Sequence, residues 1–315
     1  MKKLLSILLA STMILSAASM INVSATADTS ANETAATQET TAPTETAEPT
    51  TEPNAPATEE TATNKKNTYK DFTYSVNGNA ITITKYTGSA KSVTVPATID
   101  GKKVTTIGKK AFFENKKLEK VTISKNVTTI EREAFERCTK LRKVTYGKNV
   151  KKIHSAAFAG CKKLKSITLP SKLTSLNEGV FYNAGLTSIK IGDKIKSINP
   201  IALEIDSLKK ITVAKNNKKF SSKDGVLYNK KQTKLLICPR ALAKTTLTVS
   251  KKTKIVEYGA FNGNKNLKKV YFSKNLEVIY DAAFLSCKKL KSITVPRGVD
   301  IDDRATTEKL KVIYY

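Results

Sequence analysis

Large apolar side chains return along this chain at a fixed interval: Phe112, Phe135, Phe158 and Phe181 lie 23 residues apart, and Phe261 and Phe284 repeat the step. Around each Phe the same frame recurs, with Ile130, Phe135, Leu141, Val144 and Tyr146 in one copy and Ile153, Phe158, Leu164, Ile167 and Leu169 in the next. Lys, Thr, Ser and Asn fill most positions between. Within a copy, Leu118-x-x-Val121-x-Ile123 alternates inward and outward as a short strand does. The segment Ala134-Phe135-x-x-Cys138 lies opposite, and its composition predicts a short helical turn that packs the ring on the strand layer. A single copy cannot bury enough apolar surface to offset the entropy of ordering its backbone. Copies stacked in register can, because strand hydrogen bonds then run from copy to copy and the Phe rings form a ladder.

A period of 20–29 residues with a Leu-x-x-apolar-x-apolar core predicts an α/β repeat, a leucine-rich-repeat solenoid whose short strands stack in a parallel sheet. Residues 65–315 form this domain, and residues 65–103 open it differently. There Phe72 to Val76 and Ile81 to Thr84 flank Asn77-Gly78, a hairpin signal that suits an N-terminal cap. Val93, Val95 and Ile99 begin the repeating pattern. A degenerate copy places Leu203 where Phe is expected, after Asn199-Pro200. Residues 214–240 break the period as a hairpin insertion, expected to protrude from the stack, and residues 299–315 leave the pattern and are expected to close the far end.

Ahead of the repeats, Lys2 and Lys3 precede an apolar run over residues 4–15, and Ala25-Thr26-Ala27 offers small residues for cleavage. Residues 1–27 thus predict a secretory signal peptide and a secreted, extracellular protein. No cysteine precedes Cys138 to carry a lipid, and no sorting motif with a hydrophobic tail ends the chain, so the expected association with a cell surface is non-covalent. Residues 28–64 are Thr, Glu, Ala and Pro with no basic or aromatic side chain, an acidic linker too poor in apolar groups to fold. The first 64 residues hold two of the 55 basic and eight of the 27 acidic side chains. That leaves 53 against 19 for residues 65–315, about +34, an excess that attracts polyanions.

Register also sorts the candidate chemistry. Cys138, Cys161 and Cys287 each follow a Phe by three residues, where other copies carry Asn115, Ala184 or Asn264, so they read as small buried groups. A Cys138–Cys161 disulfide between neighbouring copies is the alternative reading. The single histidine, His154, shares its position with Glu131, Asn177, Glu257 and Tyr280. With no nucleophile elbow, Gly-rich phosphate loop or metal-binding His pair, the sequence predicts no catalytic residue, cofactor or metal. The outward strand positions are strongly biased instead. Lys120, Arg142, Lys143, Lys165, Lys209, Lys210, Lys268, Lys269 and Lys291 form one stripe, with Lys190 and Tyr271 in an adjoining row of threonines. These eleven residues are the candidate ligand-binding face. A third row, Lys125, Lys148, Lys172, Lys194 and Lys274, follows near the turn.

The motif Ala-Phe-x-x-Cys-x-x-Leu-x-x-Ile-x-Leu/Val-Pro, beginning at Ala157 and again at Ala283, resembles the BspA-like leucine-rich repeats of bacterial surface proteins. The segment Asp224-Gly225-Val226-Leu227-Tyr228-Asn229 is similar to a hairpin recurrent in that family. The resemblance spans roughly residues 70–300 and implies a secreted recognition module or adhesin, although no wall-attachment domain is visible. Two partners follow, an extracellular or cell-surface protein by resemblance, and an anionic wall polymer or glycan by charge. Membrane insertion is not expected, nucleic acid is a poor fit with only Tyr271 to stack on, and a secreted hydrolase is the weakest reading. Tyr228 and Phe220 of the insertion are further candidate aromatic anchors for a protein partner.

Overall fold

The computed structural model describes residues 67–306 and 309–315; the signal peptide and linker assigned to 1–27 and 28–64 lie outside them. Two ladders of parallel strands, each interrupted into three sheets, follow the repeats. The first carries the Leu-x-x-apolar-x-apolar segment, as in Lys120–Ile123 and Lys143–Tyr146, which pair so that Val121 faces Val144. Its later rungs are Ser188–Ile191 with Lys210–Val213, and then Thr246–Thr248, Lys269–Tyr271, Ser292–Val295 and Lys311–Tyr314. The second ladder is built of two-residue strands, Thr129–Ile130 on Lys152–Ile153 and later Ile255–Val256 on Val278–Ile279. Sequence reading missed this second ladder because two residues are too short to show a period.

Between the ladders the Phe residues stack as expected. Ring centroids are 4.8 Å apart for Phe112–Phe135, 5.3 Å for Phe135–Phe158, 5.9 Å for Phe158–Phe181 and 4.9 Å for Phe261–Phe284, all near-parallel. At the N-terminal end Tyr86 stacks on Phe112 at 5.1 Å, so the hairpin Phe72–Asn77 with Ala80–Tyr86 covers the first ring. Gly78 of its Asn-Gly turn has φ +57°, the left-handed conformation such a turn requires.

The turn that carries each Phe is not helical. Residues two before and two after every Phe have positive φ: Lys110 and Glu114, Glu133 and Arg137, Ala156 and Gly160, Gly179 and Asn183, Gly259 and Gly263, Ala282 and Ser286. A left-handed residue at either end of this five-residue turn prevents an α-helix from propagating. Its amide instead points along the stack: Glu114 N–H donates to Glu136 O and Arg137 N–H to Ala159 O, both at 2.8 Å, as Phe135 N–H does to Ala157 O. Pro200–Leu203, a 3₁₀ turn in the degenerate copy, is the one helical element among the described residues.

The insertion does not protrude. Phe220–Lys223 pairs antiparallel with Val226–Asn229, which pairs antiparallel with Lys234–Ile237, and the last strand joins the second ladder by lying parallel to Ile255–Val256. Leu227 faces the core that begins at Phe72, whereas Val226 and Tyr228 face the core that continues to Leu310. Three consecutive apolar residues are what a strand buried on both faces needs. Tyr228 is 1% exposed, and Phe220 packs partly buried against the first core, so neither is free to anchor a partner. The tail likewise extends the stack: Asp300–Ile301 and Lys311–Tyr314 add a rung to each ladder, and Phe284 N–H donates to Ala305 O.

Candidate functional site

The outward face of the first ladder is assembled by register alone. Lys120 is the Cα partner of Lys143, Ser188 of Lys210, and Lys190 of Thr212. Further along, Thr246, Lys269, Ser292 and Lys311 form one column, and Thr248, Tyr271, Thr294 and Ile313 the next. All eleven sequence-predicted residues, Lys120, Arg142, Lys143, Lys165, Lys190, Lys209, Lys210, Lys268, Lys269, Tyr271 and Lys291, are exposed. Lys165 is the one departure in backbone, because residues 165–169 form no strand and leave a break between Lys143–Tyr146 and Ser188–Ile191.

Carboxylates are distributed against this face. The close pairs Lys110–Glu133 (3.2 Å), Arg137–Glu114 (2.8 Å), Lys234–Glu257 (2.7 Å), Lys254–Glu277 (2.6 Å) and Arg304–Asp281 (2.6 Å) each join residues one 23-residue step apart, on the turns and the second ladder. On the strand face only Glu119 is acidic, and it approaches Arg142 at 3.6 Å. The nine candidate lysines have no ion-pair partner among the described residues. The third row is less free, since Lys172 Nζ donates to Asn149 Oδ1 at 2.9 Å.

Buried chemistry is structural. The thiols of Cys138, Cys161 and Cys287 donate to the carbonyls of Phe112, Phe135 and Phe261 at 3.0, 3.2 and 3.0 Å. Asn264 fills the same place with an amide that donates to Pro239 O at 2.8 Å and accepts from the backbone of Asn266 and Leu267. All four cysteines are free, so the alternative Cys138–Cys161 disulfide is not formed. Burial pushes the Cys138 thiol up to about 12 and the Cys287 thiol to about 11. His154 Nε2 lies 3.9 Å from Glu131 Oε2 in a part-exposed pair one copy apart. Among the described residues, no group of three or more His, Cys, Asp or Glu is placed to hold a metal.

Two surface depressions, missed in the sequence, open just beyond the insertion. One of about 370 Å³ is lined by Ala243, Lys244, Thr245, Asn266, Lys268 and Lys289. Another of about 800 Å³ shares Asn266 and Lys289 with it and reaches Arg240, Lys265, Lys288 and Leu285. Lys244, Lys288 and Lys289 precede the strands, outside the alternation that singled out the strand face. The available signal was the 23-residue spacing of Ala243, Asn266 and Lys289 and of Lys265 and Lys288.

A family model for the BspA type leucine rich repeat region matches six copies over residues 105–234 and 240–310. Among solved structures, a leucine-rich repeat protein from Eubacterium ventriosum is 28% identical with TM-score 0.63, covering 79% of this chain and 72% of its own. The pneumococcal vaccine antigen PcpA is 23% identical with TM-score 0.60, over 74% of this chain and 71% of that one, a likeness of fold. No curated protein matches the chain.

Proposed function

Because the chain belongs to the BspA-type leucine-rich repeat family, we propose that it is a secreted, non-catalytic recognition module that binds anionic polymers of a cell surface through its strand face. The observation that carries this reading is the arrangement of exposed cations on that face, opposed by Glu119 alone, while five carboxylates of the turns and the second ladder are held in pairs one copy apart. Rungs about 4.8 Å apart present these charges at a spacing that a flexible polyanion can follow. Nine of the eleven candidates are lysines, which attract a phosphate or sulfate without imposing the bidentate geometry of arginine. Affinity of this kind falls steeply with salt.

Retention of the full chain on immobilised poly(glycerol phosphate) and on heparin, titrated with NaCl, tests the reading. Elution at moderate salt, and weaker retention of the Lys143→Glu/Lys210→Glu variant, are expected; retention unchanged by that double substitution overturns it. Recognition of a surface protein is a second reading, favoured by Tyr271, 37% exposed, with Ile313 two rungs on in the same outward row. A protein complex that persists in high salt and is lost in Tyr271→Ala supports it.

A further inference from the structure

The two depressions beyond the insertion meet at Asn266 and Lys289 and form one groove, which opens onto the strand face at Lys268. Its cations fall into two groups, paired and unpaired. Arg240 pairs with Glu204 at 2.7 Å and Asp206 at 3.2 Å, and Lys265 also reaches Asp206 at 3.0 Å. Lys244 is held by Asp224 at 2.7 Å. Lys268 of the smaller depression, Lys288 of the larger and Lys289, which lines both, have no carboxylate within ion-pair distance among the described residues. Asn266 is fixed between them, donating its amide to Leu242 O at 3.0 Å while its backbone N–H donates to Asn264 Oδ1 at 3.1 Å, which leaves the side-chain oxygen of Asn266 to accept a hydroxyl.

We propose that this groove is a distinct subsite that seats a phosphodiester of an acyclic polyol-phosphate chain, from which the polymer runs onto the strand face; the inference rests on the anionic-polymer reading above. The anion belongs beside the unpaired cations, centred on Lys289 with Lys268 and Lys288 to either side. Hydroxyls of the adjoining polyol meet Asn262, Asn266, Thr245 and Ser286. The apolar lining is Ala243 and Leu285, with no aromatic ring on which a pyranose or a nucleobase could stack, and that selects a flexible polyol over a ring-based polyanion. The volume is ample for a few polyol-phosphate units but not for a folded domain. Equivalent positions of successive copies line the groove, since Ala243, Asn266 and Lys289 fall 23 residues apart, as do Thr245 and Lys268, and Asp206 and Arg240 close it on the side of the insertion.

A synthetic glycerol-phosphate tetramer, titrated into the full chain at low salt, separates this subsite from the strand face. Lys288→Gln/Lys289→Gln is expected to weaken the tetramer by about tenfold, whereas Lys120→Gln/Lys143→Gln leaves it unchanged, and amide shifts concentrate at Asn266, Lys268 and Lys289. Equal loss in the two variants, shifts spread over the strand face, or tighter binding of a heparin or oligothymidine tetramer overturns the assignment. Long poly(glycerol phosphate) distinguishes the two failures. If it is still retained and released by the face variant while the tetramer ignores the groove variant, the groove reading fails and the face reading stands; if it is not retained, both fail. Circular dichroism of each variant, expected to match the parent, shows that the fold is kept.

Discussion

Phe158 lies between Phe135 and Phe181 in an unbroken ladder and is fully buried, so its removal leaves a cavity that neighbouring rungs, fixed by backbone bonds on both sides, cannot close. Phe158→Ala is therefore expected to cost about 3–5 kcal/mol, read as a lower midpoint in urea; an unchanged midpoint contradicts the ladder. Tyr146 poses the opposite case. It occupies the inward strand position that Ile123 and Ile191 hold in other copies, and its hydroxyl is buried with no hydrogen-bond partner. Tyr146→Phe removes that uncompensated group and is expected to raise stability by about 1 kcal/mol, with a loss of stability as the contrary result. The thiols supply a pH dependence. Folding holds Cys138 near 12 and Cys287 near 11, above the usual thiol value of 9.0, so their contribution is complete below about pH 9 and is lost as pH rises through the folded values. Urea midpoints at pH 8 and pH 10.5 should therefore fall more in the parent than in Cys138→Ala/Cys287→Ala, and equal falls contradict the assignment. The periodicity alone located Phe158 and the cysteine register. It could not reveal the orphaned hydroxyl, since Tyr146 satisfies the same apolar pattern as isoleucine.

At the level of elements, the strands with an alternating core were legible and the turns were not. A run such as Leu118-x-x-Val121-x-Ile123 announces its inward face, and the structure buries Leu118, Val121 and Ile123. The Phe turns looked helical because Ala and Phe dominate them. What decides their shape is the left-handed backbone at Glu133, Arg137, Ala156 or Ala282, residue types that carry no such signal and are held there by amides donating to the next copy. The insertion misled for a related reason: a break in the period at residues 214–240 suggests a protruding hairpin, although the unbroken apolar run Val226-Leu227-Tyr228 is the mark of a strand with core on both sides. Residues 165–169 depart from the first ladder next to Tyr146, whose ring meets Phe158 edge-on at 6.3 Å rather than lying flat in the inner layer. Without ladder pairing, the amides of residues 166–169 are expected to exchange with deuterium faster than those of Ser188–Ile191, which pair with Lys210–Val213. Equal protection of the two segments would place a complete strand at 165–169 and remove the break.

Over the whole repeat domain, stacking in phase converts a composition into two fields of opposite use. Acidic residues one copy away from a base stabilise the turns, as in Arg137–Glu114 and Lys254–Glu277, while lysines at the outward strand positions line up with lysine or with neutral Ser and Thr. The excess of about +34 over residues 65–315 was plain from the sequence, and so was its periodic placement on strands. The groove was not, because Ala243, Asn266 and Lys289 form a column just ahead of the strands, outside the inward–outward alternation that marks the strand face. The same field makes two quantities respond to salt with opposite sign. Like charges crowded on a folded face repel one another more than in the unfolded chain, so screening should stabilise the fold. Screening also weakens any polyanion complex by removing the gain from counterion release. Raising NaCl from about 20 to 300 mM, a range over which the Debye length falls by severalfold, is thus expected to raise the melting temperature of the full chain while lowering its affinity for poly(glycerol phosphate). Lys143→Glu/Lys210→Glu, which relieves repulsion and removes ligand contacts together, should flatten both dependences. A melting temperature that falls with salt would mean that the lysines of the strand face are already neutralised by carboxylates elsewhere in the chain, leaving no free cationic face to offer a partner.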